Sequence, residues 1–226
     1  MSRPVALVTG ASRGIGRAIA RELGSTHHLL VGARTAEAAR EVSDSLPSAE
    51  PFVTDLTDEA GVAAAVAGID RLDVLVHSAG MLSHWGPFET ATTDQWRAVL
   101  ELNVIAPATL TRLLLPALRA AHGLVVFLNS GAGLTGNRGF SVYAASKFAL
   151  TGLAQSLRED ERGAVRVTSL HPGRVATDMQ LELRTAEGRE FTPEDYLAAD
   201  DVARTVRLAV DLPPSASVEM LRINHS

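Results

Sequence analysis

The sequence predicts an α/β fold: a single domain built on an open, doubly wound parallel sheet of about seven strands, with helices on both faces. Three observations predict it. Short Val- and Leu-rich runs alternate with longer segments of helical period. Several of these runs are apolar throughout rather than alternating, the pattern of strands buried on both faces of a parallel sheet. No Gly/Ser/Pro linker, charge run or internal repeat divides the 226 residues, a length that one core can serve.

In chain order the strand runs are Val5–Val8, Leu29–Ala33, Pro51–Thr54, Leu72–His77, Leu124–Asn129, Val165–Leu170 and Val218–Ile223. The helical segments between them are Ile15–Leu23, Ala36–Leu46, Asp58–Ala67, Asp94–Ala121, Val142–Arg162 and Asp201–Leu212. Strand, helix and strand in alternation require right-handed crossovers. Gly24 is placed to cap the first helix and Pro213-Pro214 to stop the last. Pro107 and Pro116 predict a kink or break in the long segment from Asp94. Residues 173–199 show no clear period. A loop of that length, leaving the carboxyl end of a strand, is placed to serve as the substrate loop.

Composition narrows the function classes. Hydrophobic residues are 46% and charged residues 21%, which excludes a disordered or low-complexity chain. Aromatics are only 4%, so Ala, Val and Leu must fill the core. A net charge of −5 supplies no basic field, so nucleic acid is not an expected partner. With no cysteine there is no disulfide, thiol nucleophile or thiolate zinc site. His27-His28, His84, His122, His171 and His225 lack metal-ligand spacing and read as surface or strand-end residues, so no metal is expected. The longest apolar stretches, such as Gly123–Leu128, are too short to span a bilayer. Met1–Pro4 leads straight into the first strand without a charged leader and apolar stretch. The expectation is a cytoplasmic protein with no membrane partner.

Directly after the first strand comes Thr9-Gly10-Ala11-Ser12-Arg13-Gly14-Ile15-Gly16, and a helix begins. Gly10 permits a tight turn, Gly14 lets backbone approach a pyrophosphate, and Gly16 lets helix pack on strand, with the pyrophosphate at the helix N-terminus. A glycine triplet alone suits a plain turn equally well, and the strand before it and helix after it tip the reading toward a dinucleotide. At the end of the second strand, where an acid would bond a ribose 2′-hydroxyl, stands Arg34. With Arg13 as a second cation it favours a 2′-phosphate, hence NADP(H) over NAD(H). The competing reading is two solvated arginines, with Glu37 supplying the ribose contact.

Tyr143-Ala-Ala-Ser-Lys147 opens the helix after the fifth strand, and its i, i+4 spacing puts phenol and ammonium on one face. An ammonium favours phenolate, so Lys147 is expected to lower a phenol pKa that starts near about 10. Tyr143 would then give a proton to a carbonyl oxygen as hydride arrives, or take one from an alcohol. In isolation such a pair reads better as a surface pair. Ser130, in Asn129-Ser130-Gly131-Ala132-Gly133, ends the fifth strand and brings a hydroxyl for the substrate oxygen.

Other positions carry the same pattern: Asp55-Leu56 after the third strand, Ala79-Gly80 after the fourth, Asn103, and Pro172-Gly173 followed by Thr177. With these the chain resembles the short-chain dehydrogenase/reductase family from Val5 to Ile223. The resemblance implies a Rossmann-type fold with Tyr143 as acid and base, Lys147 lowering its pKa and binding the nicotinamide ribose, and Ser130 orienting the reacting oxygen. It implies that Asn103 holds a water in a proton relay. Gly10, Ser12, Arg13, Gly14, Ile15 and Gly16 would bind the cofactor at the turn. Arg34, Asp55, Leu56, Ala79 and Gly80 would line the adenosine end, and Pro172, Gly173, Val175 and Thr177 the carboxamide side of the nicotinamide. The helices beginning near Asp94 and Val142 resemble those of family dimers and tetramers, so a homodimer or homotetramer is implied. The family usually has Asn-Asn-Ala-Gly where this chain has His77-Ser78-Ala79-Gly80. His77 is expected to be a hydrogen-bonded core histidine, and Ser78 is the weaker match to the cofactor-facing Asn.

Met81, Leu82, Trp85, Leu134, Phe140, Met179 and Leu181 lie where the family's substrate pocket would be, with Arg138 and Arg184 the nearby cations. They suggest a small, largely apolar substrate. The resulting expectation is an NADP(H)-dependent oxidoreductase acting on a ketone or aldehyde, or on a secondary alcohol in reverse. The alternatives are a 3-oxoacyl thioester reductase, for which no arginine patch is identifiable, and a non-catalytic NADPH-binding regulator, which predicts a broken Ser/Tyr/Lys set.

Overall fold

The computed structural model describes residues 3–226; Met1 and Ser2, part of the segment expected to lead straight into the first strand, lie outside the described residues. Seven strands form one sheet: β1 (Val5–Val8), β2 (His28–Ala33), β3 (Ala49–Val53), β4 (Val74–His77), β5 (Leu124–Leu128), β6 (Arg166–Pro172) and β7 (Met220–Ile223). Their order is β3-β2-β1-β4-β5-β6-β7, and every neighbouring pair is parallel. The chain builds outward from β1 to β3, then returns and builds outward the other way from β4 to β7. That reversal parts the loops leaving β1 and β4 and opens a crevice at the carboxyl edge.

Among the described residues eight α-helices cover the sheet: α1 (Gly14–Gly24), α2 (Ala36–Ser43), α3 (Glu59–Val66), α4 (Thr93–Leu100), α5 (Ala106–Ala121), α6 (Ser141–Asp160), α7 (Asp178–Ala186) and α8 (Ala199–Val210). Alternate strand residues enter two separate cores, as strand geometry requires. Ala6, Val8, Val76 and Val126 pack with Ile19 and Leu23 of α1 and Val202 and Val206 of α8. Leu7, Leu75, Val125 and Phe127 pack on the opposite face with Leu110, Leu114 and Leu118 of α5 and Leu150 of α6. Because both faces are covered, the strands read as continuous apolar runs.

The sequence-based bounds of these elements shift by a few residues, and four expectations need correction. Residues 173–199 are not irregular: α7 and a short 3₁₀ turn at Pro193–Asp195 lie within them. The Thr177 side chain caps α7 by accepting from Gln180 N, and Asp178 complements the dipole in the first turn. The long segment from Asp94 does not break at its prolines. Between α4 and α5 it runs through one π-helical turn, Glu101–Ile105, with Pro107 in the first turn of α5 and Pro116 inside that helix. Gly24 does not cap α1 through a left-handed conformation; it is the last residue of the helix, and Leu46 packs over it, 2.9 Å from where a Cβ would stand. Finally, Thr93–Ala121 is long and apolar enough by length and composition to cross a membrane. Leu110, Leu114, Ala117 and Leu118 in this segment pack against the sheet, while Arg112 pairs with Glu59 and Arg119 with Glu161.

His77 is buried at the end of β4, as expected of a core histidine. Its Nε2 lies 2.7 Å from Thr111 Oγ1 on α5, and its ring stacks on Phe127 at 4.9 Å between centroids. The strand-tying work at this point falls to Thr9. Its hydroxyl accepts from Ser78 N at 3.1 Å and Ala79 N at 3.2 Å and donates to Val76 O at 3.3 Å.

Burial lowers the His77 pKa from 6.5 to about 3, so the folded state holds it neutral while the unfolded chain protonates it. Stability from this residue is complete above its unfolded pKa and falls by about 1.4 kcal/mol per pH unit as pH drops toward the folded value. Urea unfolding compared at about pH 7 and about pH 5 should show a smaller acid loss in His77→Asn than in wild type. Equal losses in the two proteins contradict this assignment.

Candidate active site

The turn after β1 is shaped by close backbone approach. Gly10 has φ +63°, and a Cβ there would lie 2.8 Å from Ala79 Cα, so the exits of β1 and β4 touch. A Cβ on Gly16 would collide with the Gly10 carbonyl oxygen. The first-turn amides of α1 carry no side-chain cap, and no acidic residue stands in that turn. Free amides at a positive helix end are suited to a phosphate group. Donor set and cradle therefore fit a pyrophosphate.

From this turn a cavity of about 720 Å³ runs along the carboxyl edge to Tyr143 and Lys147. Gly10, Ser12, Arg13, Gly14, Ile15, Gly16, Arg34, Asp55, Leu56, Ala79, Gly80, Tyr143, Lys147 and Thr177 all line it. So do Ala98 of α4 and Glu101 and Leu102 of the π turn, which the sequence analysis did not single out because neither residue type nor spacing marks them, although Asn103 follows directly. Just past β3, Asp55 Oδ1 accepts from Thr57 N at 2.9 Å and Thr57 Oγ1 at 2.7 Å. These bonds, with a smaller contribution from Arg34, hold the Asp55 carboxyl below its ordinary range. Arg34 is exposed and has no ion-pair partner among the described residues. Arg13 is engaged: its guanidinium lies 3.1 Å from Asp178 Oδ2, joining the glycine turn to the start of α7. Both side chains are about two-thirds exposed, at 64% and 63%, so the pair contributes at most about 1 kcal/mol.

At the other end, Tyr143 and Lys147 stand one turn apart at the start of α6, facing the end of β5. Lys147 is 5% exposed; its Nζ donates to Leu128 O at 2.9 Å and lies 5.6 Å from the Tyr143 ring centroid. Burial lowers its pKa to about 8. The expected lowering of the Tyr143 pKa by Lys147 is not what the geometry produces. Burial pushes the half-buried phenol up, and the nearby Ser130 hydroxyl pulls it partway back. Desolvation disfavours phenolate more than the ring-facing ammonium favours it.

Ser130 is the second residue past β5, where its Oγ accepts from Ala132 N at 3.1 Å. Asn103 lies in the π turn and is fully enclosed. Its Oδ1 accepts from Met81 N at 2.9 Å, and its Nδ2 donates to Met81 O at 2.9 Å and Ser146 Oγ at 3.0 Å. It pins the loop after β4 to α6, behind the cavity wall. Pro172 is buried at the end of β6, and Gly173 N bonds Ile223 O at 2.8 Å. The Val175 side chain turns into the core, which leaves only its backbone for a ligand. Thr177 faces the glycine turn, its Cγ2 3.5 Å from where a Gly14 Cβ would stand. At the mouth, Gly86 N donates to Gly139 O at 3.1 Å, linking the loops after β4 and β5. Arg184 is held by Glu187 at 2.7 Å and by Glu190 O at 3.2 Å, so it is not free to face a substrate.

The family described as short chain dehydrogenase matches residues 4–188. An uncharacterised short-chain type dehydrogenase/reductase of Sinorhizobium fredii is 35% identical over 227 residues, covering 97% of this chain and 90% of its own. A serine 3-dehydrogenase of Rhizobium radiobacter is 32% identical over 235 residues, covering 97% of this chain and 94% of its own. Among solved structures, a metagenomic short-chain oxidoreductase in complex with NADP superposes with a TM-score of 0.82 at 34% identity, covering 98% of this chain and 96% of that one.

The buried lysine makes a prediction about stability. Its folded pKa of about 8 lies below the ordinary 10.5, so between these values the unfolded chain holds the proton and the folded one releases it. Stability is therefore lowest below the folded value and rises toward the unfolded one, by about 3 kcal/mol in all. Urea unfolding across this range should show that Lys147→Met removes the rise; an equal rise in both proteins contradicts it.

Proposed function

The chain belongs to the short-chain dehydrogenase family, and from that premise we propose that this oxidoreductase is NADP(H)-dependent and interconverts a small ketone or aldehyde with the corresponding alcohol. One observation carries the reading: Tyr143 and Lys147, with Ser130 just past the adjoining end of β5, stand at one end of a crevice whose other end holds uncapped helix amides and Arg34, which has no ion-pair partner among the described residues. When bound, the cofactor would supply the hydride to the carbonyl carbon.

The side chains supply the rest. A Tyr143 phenol whose pKa is raised by burial is protonated at neutral pH, the form that donates to a carbonyl oxygen. Ser130 Oγ lies beside the phenol and orients the same oxygen. The Lys147 ammonium stabilises the phenolate left after transfer and binds the nicotinamide ribose. The side-chain amide of Asn103 is used by Met81 and Ser146, so a relay water there would rest on its backbone carbonyl. Asp55, Leu56, Ala79 and Gly80 hold the adenosine, and Pro172, Gly173, Val175 and Thr177 the carboxamide, Val175 through its backbone. Arg34 pairs with the 2′-phosphate, and Arg13 joins it by leaving its weak partner Asp178.

Met81 and Met179 on the cavity wall support a largely apolar substrate. With Arg184 consumed by Glu187, little cationic surface remains for the phosphate of a carrier thioester, which ranks that alternative lower. The intact Ser/Tyr/Lys set ranks a non-catalytic regulator lower still. Ile105 and Phe148, exposed at the π turn and on α6, support a homodimer or homotetramer. The proposal places the protein in the cytoplasm.

Two variants test this reading against ethyl pyruvate, ethyl acetoacetate and benzaldehyde with NADPH or NADH. Tyr143→Phe should lower kcat by about 10²–10⁴-fold while NADPH affinity, read by fluorescence, changes less than about twofold. Arg34→Ala should weaken NADPH by about tenfold or more and leave NADH nearly unchanged. Turnover retained in the first, or a wild type that prefers NADH, overturns the corresponding role.

A further inference from the structure

The backbone of Ser130 is held to its surroundings by more than the sheet. The last rung joining β5 to β6 is Asn129 N to Leu170 O at 2.8 Å; beyond it the chain leaves the ladder for a 3₁₀ turn. Within that turn the Ser130 carbonyl accepts from Gly133 N at 2.9 Å. Its second acceptor site faces the neighbouring strand, where His171 Nδ1 lies 2.9 Å away. His171 stands at the end of β6, as the strand-end reading expects, but is fully buried rather than at the surface.

The protons on this imidazole are assigned by its partners. A carbonyl only accepts, so Nδ1 carries the ring proton and Nε2 is the acceptor. The hydroxyl of Ser169 lies 2.9 Å from Nε2 and donates to it. Ser169 Oγ is in turn 3.4 Å from Asn129 Nδ2, and Asn129 Oδ1 accepts from Ser130 N at 2.9 Å. A ring of bonds through Asn129, Ser169 and His171 thus closes on the one peptide segment that carries the Ser130 hydroxyl. Burial first, then the charges of Lys147 and Arg222, lower the His171 pKa against the raising effect of the Ser130 bond. The ring stays neutral, with its single N–H committed to Ser130.

We propose that His171 is a positioning residue for the reaction: through the Ser130 carbonyl it sets the direction of the Ser130 hydroxyl toward Tyr143. The inference rests on the oxidoreductase reading above for its consequence in turnover, but its geometry does not. Ser130 sits in extended backbone at φ −163° and ψ 160°; with its carbonyl held by His171 and its N–H by Asn129, the peptide groups on both sides of its Cα are fixed, and with them the point from which Oγ projects. The His171 bond extends the β5–β6 ladder by one side-chain rung past its backbone end. Without that rung the turn is tied across to β6 only through Asn129.

The test needs no cofactor. The chain has two tyrosines, so in a Tyr196→Phe background the phenol titration, read by ultraviolet difference absorbance, reports Tyr143 alone. Ser130→Ala should raise the phenol pKa by removing its bond. His171→Leu should raise it in the same direction. His171→Asn, close in shape to leucine but offering an N–H near the position of Nδ1, should restore most of the wild-type value. In the double variant Ser130→Ala/His171→Leu, the leucine should add nothing. In turnover, His171→Leu should lower kcat about tenfold with KM and NADPH affinity within about twofold.

An unmoved Tyr143 titration in folded His171→Leu, or a leucine effect that adds in full to Ser130→Ala, overturns the inference. If the leucine variant does not fold, Ser169→Ala takes its place. That substitution keeps the ring but removes the hydroxyl that fixes its tautomer; it should give a smaller shift of the same sign, and no shift overturns the inference. Tyr143→Phe separates the two levels of argument. Retained turnover there sinks the catalytic reading alone, whereas lost turnover there with normal kcat in His171→Leu sinks the positioning role alone.

Discussion

The reversal of strand order between β1 and β4 is the constraint on which the site depends. Two parallel strands side by side would normally send their following loops the same way. Here the chain leaves β1 toward β2 and leaves β4 toward β5, so the two exits separate and leave a crevice. Something must then keep the exits from parting further. The Thr9 hydroxyl, bonded to Ser78 N and Ala79 N, and the missing side chain of Gly10 against Ala79 hold them at contact distance. The α1 amides face the crevice from one exit, and the loop fixed by Asn103 faces it from the other.

Burial at the far end of the crevice sets up an opposition of charge preferences. Lys147 is enclosed and, among the described residues, its hydrogen bond is to the Leu128 carbonyl, so its ammonium is disfavoured relative to water. Tyr143 beside it is disfavoured as phenolate for the same reason. Each neutral form is stabilised until a negative charge develops on the phenol oxygen. Transfer of the Tyr143 proton would then create the anion that the buried ammonium lacks, and low local polarity would strengthen their attraction. Desolvation therefore opposes a resting phenolate and would strengthen the pull of the ammonium on one formed by proton transfer.

Much of the fold was legible in the sequence because its signals are local. Continuous apolar runs marked strands with two covered faces, and the order of Gly10, Gly14 and Gly16 marked the turn at the edge. Ser130, Tyr143 and Lys147 were legible as a set through spacing and residue type. What was missed depends on contacts between distant segments. α7 is short and mixed in character, and its start is marked chiefly by the Thr177 cap. The pairing of Arg13 with Asp178 spans 165 residues, so Arg13 looked as free as Arg34. The raised phenol pKa of Tyr143 reflects an enclosure that an i, i+4 pattern does not report. The bonding of His171 at its strand end was missed because its partner, the Ser130 carbonyl, lies just past the neighbouring strand 41 positions earlier.

The central claim, that the carboxyl-edge crevice is a dinucleotide site leading to a proton-transfer set, is tested most directly by a crystal structure grown with NADPH. The account predicts the pyrophosphate over the amides between Gly14 and Gly16, the 2′-phosphate against Arg34, and the nicotinamide between Thr177 and the Tyr143/Lys147 pair. Ordered cofactor bound elsewhere, or bound in the crevice with its nicotinamide turned away from Tyr143, would contradict it.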